Sequence, residues 1–122
     1  MRRVKFKVVS LYHNGRRFSA FARGNYSLDY RKGTTVIAGQ NTFGVAVFKT
    51  RRQADIFIEV SAAASPLQRI RVRPIGRGKT VEFICSGVGE RDLDDFYGRK
   101  VRNMIRKPPP GTIFYPAVEV LD

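Results

Sequence analysis

The chain contains a single cysteine and a single histidine in 122 residues. One cysteine excludes an intramolecular disulfide framework, and one Cys with one His cannot supply the ligands of a common structural zinc site. No apolar run approaches the roughly 18 residues that a spanning helix needs. The opening stretch Met1-Arg2-Arg3-Val4-Lys5-Phe6-Lys7 is basic but has no continuous apolar segment. No secretory signal is therefore expected, and a reducing, cytoplasmic setting is the default. Acidic residues are scarce at the front: Asp29 stands alone against 12 Lys and Arg in residues 1–52, a local net charge of +11 out of +13 for the chain.

What the sequence does have is enough apolar material for a core, 43% of residues, and too much positive charge to be explained by solubility. Such a surplus speaks about partners, and polyanions come first. Arg outnumbers Lys by 16 to 7, which suits planar, bidentate contacts to phosphate. Phe6, Tyr12, Phe18, Phe21, Tyr26, Tyr30, Phe43 and Phe48 are interleaved with these cations. Exposed aromatics could stack on unpaired bases. The simpler alternative is that they fill the core while Arg and Lys solubilise an open sheet face.

Alternation of apolar with basic residues predicts a strand over Val4–Tyr12, followed by Asn14-Gly15, a strong hairpin signal, and a returning strand over Arg16–Phe21. Tyr26–Tyr30, Thr34–Ala38 and Phe43–Phe48 read as further short strands. Thr50-Arg51-Arg52-Gln53 fits a capping box and opens a helix over about 50–64, with Ala54, Phe57, Ile58 and Ser61 on one face; Pro66 stops it. Leu67–Val72 and Thr80–Cys85 read as strands around the Gly-rich stretch Pro74–Lys79. A second helix is expected over 90–106, from the stripe Leu93, Phe96, Tyr97, Val101, Met104 and Ile105. Acids crowd its start and Arg99, Lys100, Arg102 and Arg106 its end, as the helix dipole favours. Thr112–Leu121 closes the chain as a strand that Pro116 marks as an edge or a bulge. The expected fold is α+β: one domain, residues 1–122, with a twisted, largely antiparallel sheet and two helices.

Few residues suggest chemistry. Gly76-Arg77-Gly78-Lys79-Thr80 resembles a phosphate loop, but Arg73 stands where that motif needs its first Gly, and a strand follows instead of a helix. A basic turn in which Arg77 and Lys79 touch phosphate is the better reading. His13 flanks a turn and is expected to be exposed. Cys85 is expected to be buried and inert. Asp92, Asp94 and Asp95 are helix-start charge more simply than magnesium ligands. Arg99, Arg102 and Arg106 share a helical face, which is either solvated or laid along a phosphate backbone.

Two stretches, Phe43–Ala54 (a Gly-x-x-Val-Phe strand running into a capped helix) and Pro109–Leu121, together about a fifth of the chain, resemble small proteins of phages and mobile elements. That resemblance implies a shared fold and no activity; a viral protein would act in the host cytoplasm. The strand-to-helix unit followed by Arg69–Pro74 is also faintly similar to the core of ADP-ribosyltransferases. By that resemblance His13, Val47 and Glu119 would stand at the positions that hold nicotinamide adenine dinucleotide. Asn14 separates His13 from Gly15, and Val47 or Phe48 replaces the stacking Tyr.

The leading expectation is a small basic nucleic-acid-binding protein, contacting RNA or DNA phosphates through Arg16, Arg17, Arg23, Arg31, Lys32, Arg51, Arg52, Arg77 and Lys79, with no catalytic residue, cofactor or metal assigned. No homeodomain, zinc-finger or RNP-type signature supports sequence-specific reading. The alternative is an interaction module that binds an acidic protein surface. The transferase-like enzyme is the minor third reading.

Overall fold

The computed structural model describes residues 3–22, 24–61, 66–87, 89–98 and 105–122. The chain folds as α+β around a largely antiparallel sheet of seven strands. In order these are β1 (Lys5–Leu11), β2 (Arg17–Ser19), β3 (Thr35–Ile37) and β4 (Val45–Phe48), then helix α1 (Arg51–Val60) and β5 (Leu67–Ile75). A separate two-stranded ribbon, β6 (Ile84–Cys85) with β7 (Ile105–Arg106), flanks helix α2 (Glu90–Tyr97), and β8 (Thr112–Tyr115) and β9 (Ala117–Val120) complete the main sheet.

The sheet closes on itself. Strand β1 pairs with β5, β5 with β9, and β4 with both β8 and β1, while Pro116 merely bends the continuous run from β8 into β9. Alternate residues therefore point into an enclosed core of Val9, Val45, Val47, Ile70, Val72, Tyr115, Val118 and Val120. The opposite face of β1 carries Phe6 and Val8 and is covered by α1 through Ala54, Phe57 and Ile58. Both faces of β1 are thus buried, which is why its Lys5 and Lys7 are half-buried instead of lying on an open face.

One edge of β1 is shared. Near its start Phe6 pairs with Phe48 of β4; near its end Val9, Ser10 and Leu11 pair with Ser19, Phe18 and Arg17 of β2. The two partners diverge from this edge and leave a fork in the sheet, with Lys7 and Val8 at its base. Gly44 enters β4 with φ +123°, and a Cβ there would lie 2.6 Å from the Tyr115 carbonyl oxygen. Gly44→Ala combines a backbone strain with that clash, so a loss of about 3 kcal/mol is expected in denaturant unfolding. A loss below about 1 kcal/mol would show that the β4–β8 seam yields easily.

Local signals account for the element ends. Thr50 caps α1 through a complete capping box with Gln53. The helix ends at Val60, short of the expected 64: Ser61 is extended and its hydroxyl donates to the Phe57 carbonyl, competing with the helix; residues 62–65 lie outside the described set. Helix α2 ends at Tyr97, not at 106. Gly98 closes it, and Ile105–Arg106 are strand, paired with Ile84–Cys85. Arg99, Lys100, Val101, Arg102 and Met104 fall outside the described residues. Two expected strands are also shorter or absent. Gly24–Tyr26 forms a 3-10 turn, leaving only a bridge between Asp29 and Phe18, and Thr80–Cys85 retains only its last two residues.

Candidate nucleic-acid interface

The nine basic residues expected to meet phosphate do not share one patch. Arg16, Arg17, Arg31 and Lys32 cluster where β1 turns into β2, and three of them are occupied. Arg16 and Arg31 each pair with Asp29 at 3.2 Å. Arg17 is half-buried and structural, donating to the Tyr30 carbonyl at 3.0 Å and to the Asp122 carbonyl at 2.6 Å. Arg23 lies outside the described residues. The strand arginines are likewise spent: Arg69 on Asp55, Arg71 on Asp122 and Arg73 on Glu119. The hydrogen bonds from Arg71 hold the Asp122 carboxyl below the usual carboxylate range.

The remaining members gather along β8. On one edge, the Lys49 amide donates to the Gly111 carbonyl at 2.9 Å, which sets Lys49, Arg51 and Arg52 beside the start of β8. Arg51 and Arg52 occupy the first turn of α1, which has no acidic residue. The free N–H groups of that turn add to their positive field. On the other edge, Lys79 exchanges both backbone hydrogen bonds with Phe114, at 2.9 and 2.8 Å. Gly78 packs so closely on the Tyr115 ring that a Cβ would come within 2.7 Å of it. Lys49, Arg51, Arg52, Arg77 and Lys79 are all exposed, and among the described residues none forms an ion pair.

Distance decides which charges act together. Lys49 and Lys79 are offset by about 10 Å across β8 and by three residues, about 10 Å, along it, so the Lys49–Arg52 group and the Arg77–Lys79 group stand roughly 14 Å apart, each dense within a Debye length and the two partly screened from one another. Phe6, which pairs beside Lys49, and Leu11, at the β2 end, are separated by roughly 16 Å, and the cluster at that end is already paired with Asp29, so it adds little to the belt. Lys49 was not singled out in the sequence. Only its pairing with Gly111, distant along the chain, brings it to the belt.

An aromatic cluster adjoins the Lys79 edge. Phe43 meets Phe96, Tyr97 and Phe114 edge-on at 5.2–5.6 Å, Tyr26 stacks on Tyr97 at 5.8 Å, and the Lys79 ammonium sits 5.5 Å from the Phe43 ring centroid. Phe114 is buried and the other four rings are half-buried. The Tyr26 hydroxyl donates to Asp94 at 2.6 Å, and that bond pushes its pKa up to about 12. Glu90 accepts from Asn25. These acids therefore tie α2 to the 3-10 turn, and among the described residues no acidic, His or Cys cluster could hold a metal.

Behind the belt, a cavity of about 790 Å³ opens at the fork of β1. Lys7 lines it, donating from Nζ to the Ala46 carbonyl at 2.8 Å and lying 5.5 Å from the Tyr30 ring centroid. Burial lowers the Lys7 pKa to about 8, and burial also raises that of Tyr30. Cys85, expected to be buried, is only half-buried and lines this cavity.

The transferase-like trio is not assembled. His13 is exposed at the β1–β2 turn, Val47 is buried in the core, and Glu119 is paired with Arg73 on β9. Comparison with known protein families, with curated proteins and with solved structures finds no match to this chain.

Proposed function

We propose that this protein binds nucleic acid through the belt along β8, where Lys49, Arg51, Arg52, Arg77 and Lys79 meet successive phosphates without reading sequence. The observation that carries the reading is the concentration of exposed, unpaired cations on both sides of one strand, while most other described arginines are neutralised in place. Affinity of this kind comes from counterion release at phosphates. The rings beneath Lys79 offer apolar surface beside the phosphate track, which favours unpaired over fully paired strands. A role in a phage or mobile element, where a small basic protein coats nucleic acid, agrees with the resemblance of the Phe43–Ala54 and Pro109–Leu121 stretches.

The test is a salt titration of binding to short RNA and DNA. Five phosphate contacts predict a slope of log affinity against log salt of about −4, or a loss of two to three orders of magnitude between about 50 and 200 mM. Absence of binding to both polymers at the lowest salt, or binding indifferent to salt, would overturn the reading. An acidic protein partner would show itself as a captured complex that survives nuclease treatment.

A further inference from the structure

We propose that the cavity at the β1 fork binds a small organic anion with a flat apolar body, and that the Lys7 ammonium is its counter-ion. This inference does not depend on the nucleic-acid reading. The fork explains why the cavity exists: β2 and β4 leave the same edge of β1 in different directions, and among the described residues no strand fills the gap between them. At about 790 Å³ it lies within the range of small-molecule sites.

The lining states the ligand's chemistry. Lys7, Arg106 and Lys107 border the cavity, and among the described residues no Asp or Glu does. An ammonium has three donors, and Lys7 spends one on the Ala46 carbonyl, with the Tyr30 ring nearby and no carboxylate partner among the described residues. A shielded cation without a counter-ion is costly, and an entering anion relieves that cost. Tyr30, Phe48, Phe57 and Phe114 supply apolar walls for a planar body. A neutral or cationic ligand would leave Lys7 as it is, so the site discriminates by charge.

The probes are anilinonaphthalenesulfonate and its uncharged relative phenylnaphthylamine, which share a ring body and differ in the anion. The wild type should bind the sulfonate at least tenfold more tightly. Lys7→Met should remove that margin, Lys7→Arg should restore part of it, and Arg51→Gln with Arg52→Gln should leave it unchanged. Equal binding of the two probes by the wild type would overturn the proposal, as would a margin that survives Lys7→Met. Displacement by benzoate or by adenosine monophosphate separates a carboxylate from a phosphate ligand. Should Lys7→Met not fold, isotope-edited NMR of the wild type gives the answer. The Lys7 titration should move upward on saturation with the sulfonate and not with the neutral probe. The other titratable groups lining the cavity (Tyr26, Tyr30, Cys85, Tyr97, Arg106 and Lys107) provide the internal comparison. An unmoved Lys7 titration would overturn the proposal. Failure of an oligonucleotide to displace the sulfonate keeps this site separate from the β8 belt.

Discussion

Lys7→Met is expected to stabilise the unliganded protein at pH 7 by about 2 kcal/mol. An unfolded lysine keeps its proton to about pH 10.5, whereas the native Lys7 releases it near 8 because the cavity wall excludes water. Below pH 8 the folded state therefore carries an ammonium that it solvates poorly, a cost of roughly 3 kcal/mol at full development. Methionine has a similar shape and no charge. Loss of the hydrogen bond to the Ala46 carbonyl returns about 1 kcal/mol of this gain. Between pH 8 and 10.5 the unfolded wild-type chain binds the extra proton, so wild-type stability should rise with pH through that window. The rise is opposed above about pH 10, where unfolding lets Tyr30 ionise while burial keeps it neutral in the native state. Denaturant unfolding from pH 6 to 10 checks both statements. The variant should lack the rise seen in the wild type. A variant less stable than wild type at pH 7, with the rise intact, would mean that Lys7 is well solvated in the native protein.

The second large effect concerns the belt. Replacing Arg51, Arg52 and Lys79 together by glutamine should lower nucleic-acid affinity at about 50 mM salt by one to two orders of magnitude and flatten the salt slope by roughly 2 to 2.5. Replacing Arg16 and Arg31 by glutamine removes the same kind of charge but leaves Asp29 behind, and these two cations already share that carboxylate. A change of less than about threefold is expected. Surface pairs of this kind hold little energy, so both variants should remain folded. Equal losses from the two sets, measured by fluorescence anisotropy, would show that net charge matters and position does not.

Short-range signals in the sequence carried much of the fold. The capping box at Thr50, the turn at Asn14-Gly15 and the alternation through β1 and β5 each act within a few residues, and each is present in the structure. The second helix was overextended because Val101, Met104 and Ile105 continue the apolar spacing past Gly98. What places Ile105–Arg106 in a strand is pairing with Ile84–Cys85, a contact that no local periodicity encodes. Lys7 looked like a solvent-facing alternate of β1. Period-two reading assumes one open face, and here α1 covers one side while the closing sheet covers the other.

The candidate site was legible only as a charge count. Arg16, Arg31, Arg51 and Arg52 are equivalent in sequence. Asp29 lies close to the first pair, and nothing acidic that lies near the second pair in sequence bonds to it. The neutralising partners of Arg71 and Arg73 come from the far end of the chain, Asp122 and Glu119, through the β5–β9 pairing. Which cations remain free is thus a property of the sheet topology. The same holds for the cavity, since the fork requires β2 and β4 to meet one strand edge.

Amide chemical-shift mapping with a short single-stranded oligonucleotide at low salt tests the location of binding most directly. The β8 belt predicts that perturbations concentrate at residues 49–52, 77–80 and 112–114, while 13–17 and 31–34 stay in place. Perturbations centred on the β1–β2 turn, or spread evenly over every basic residue, would contradict it.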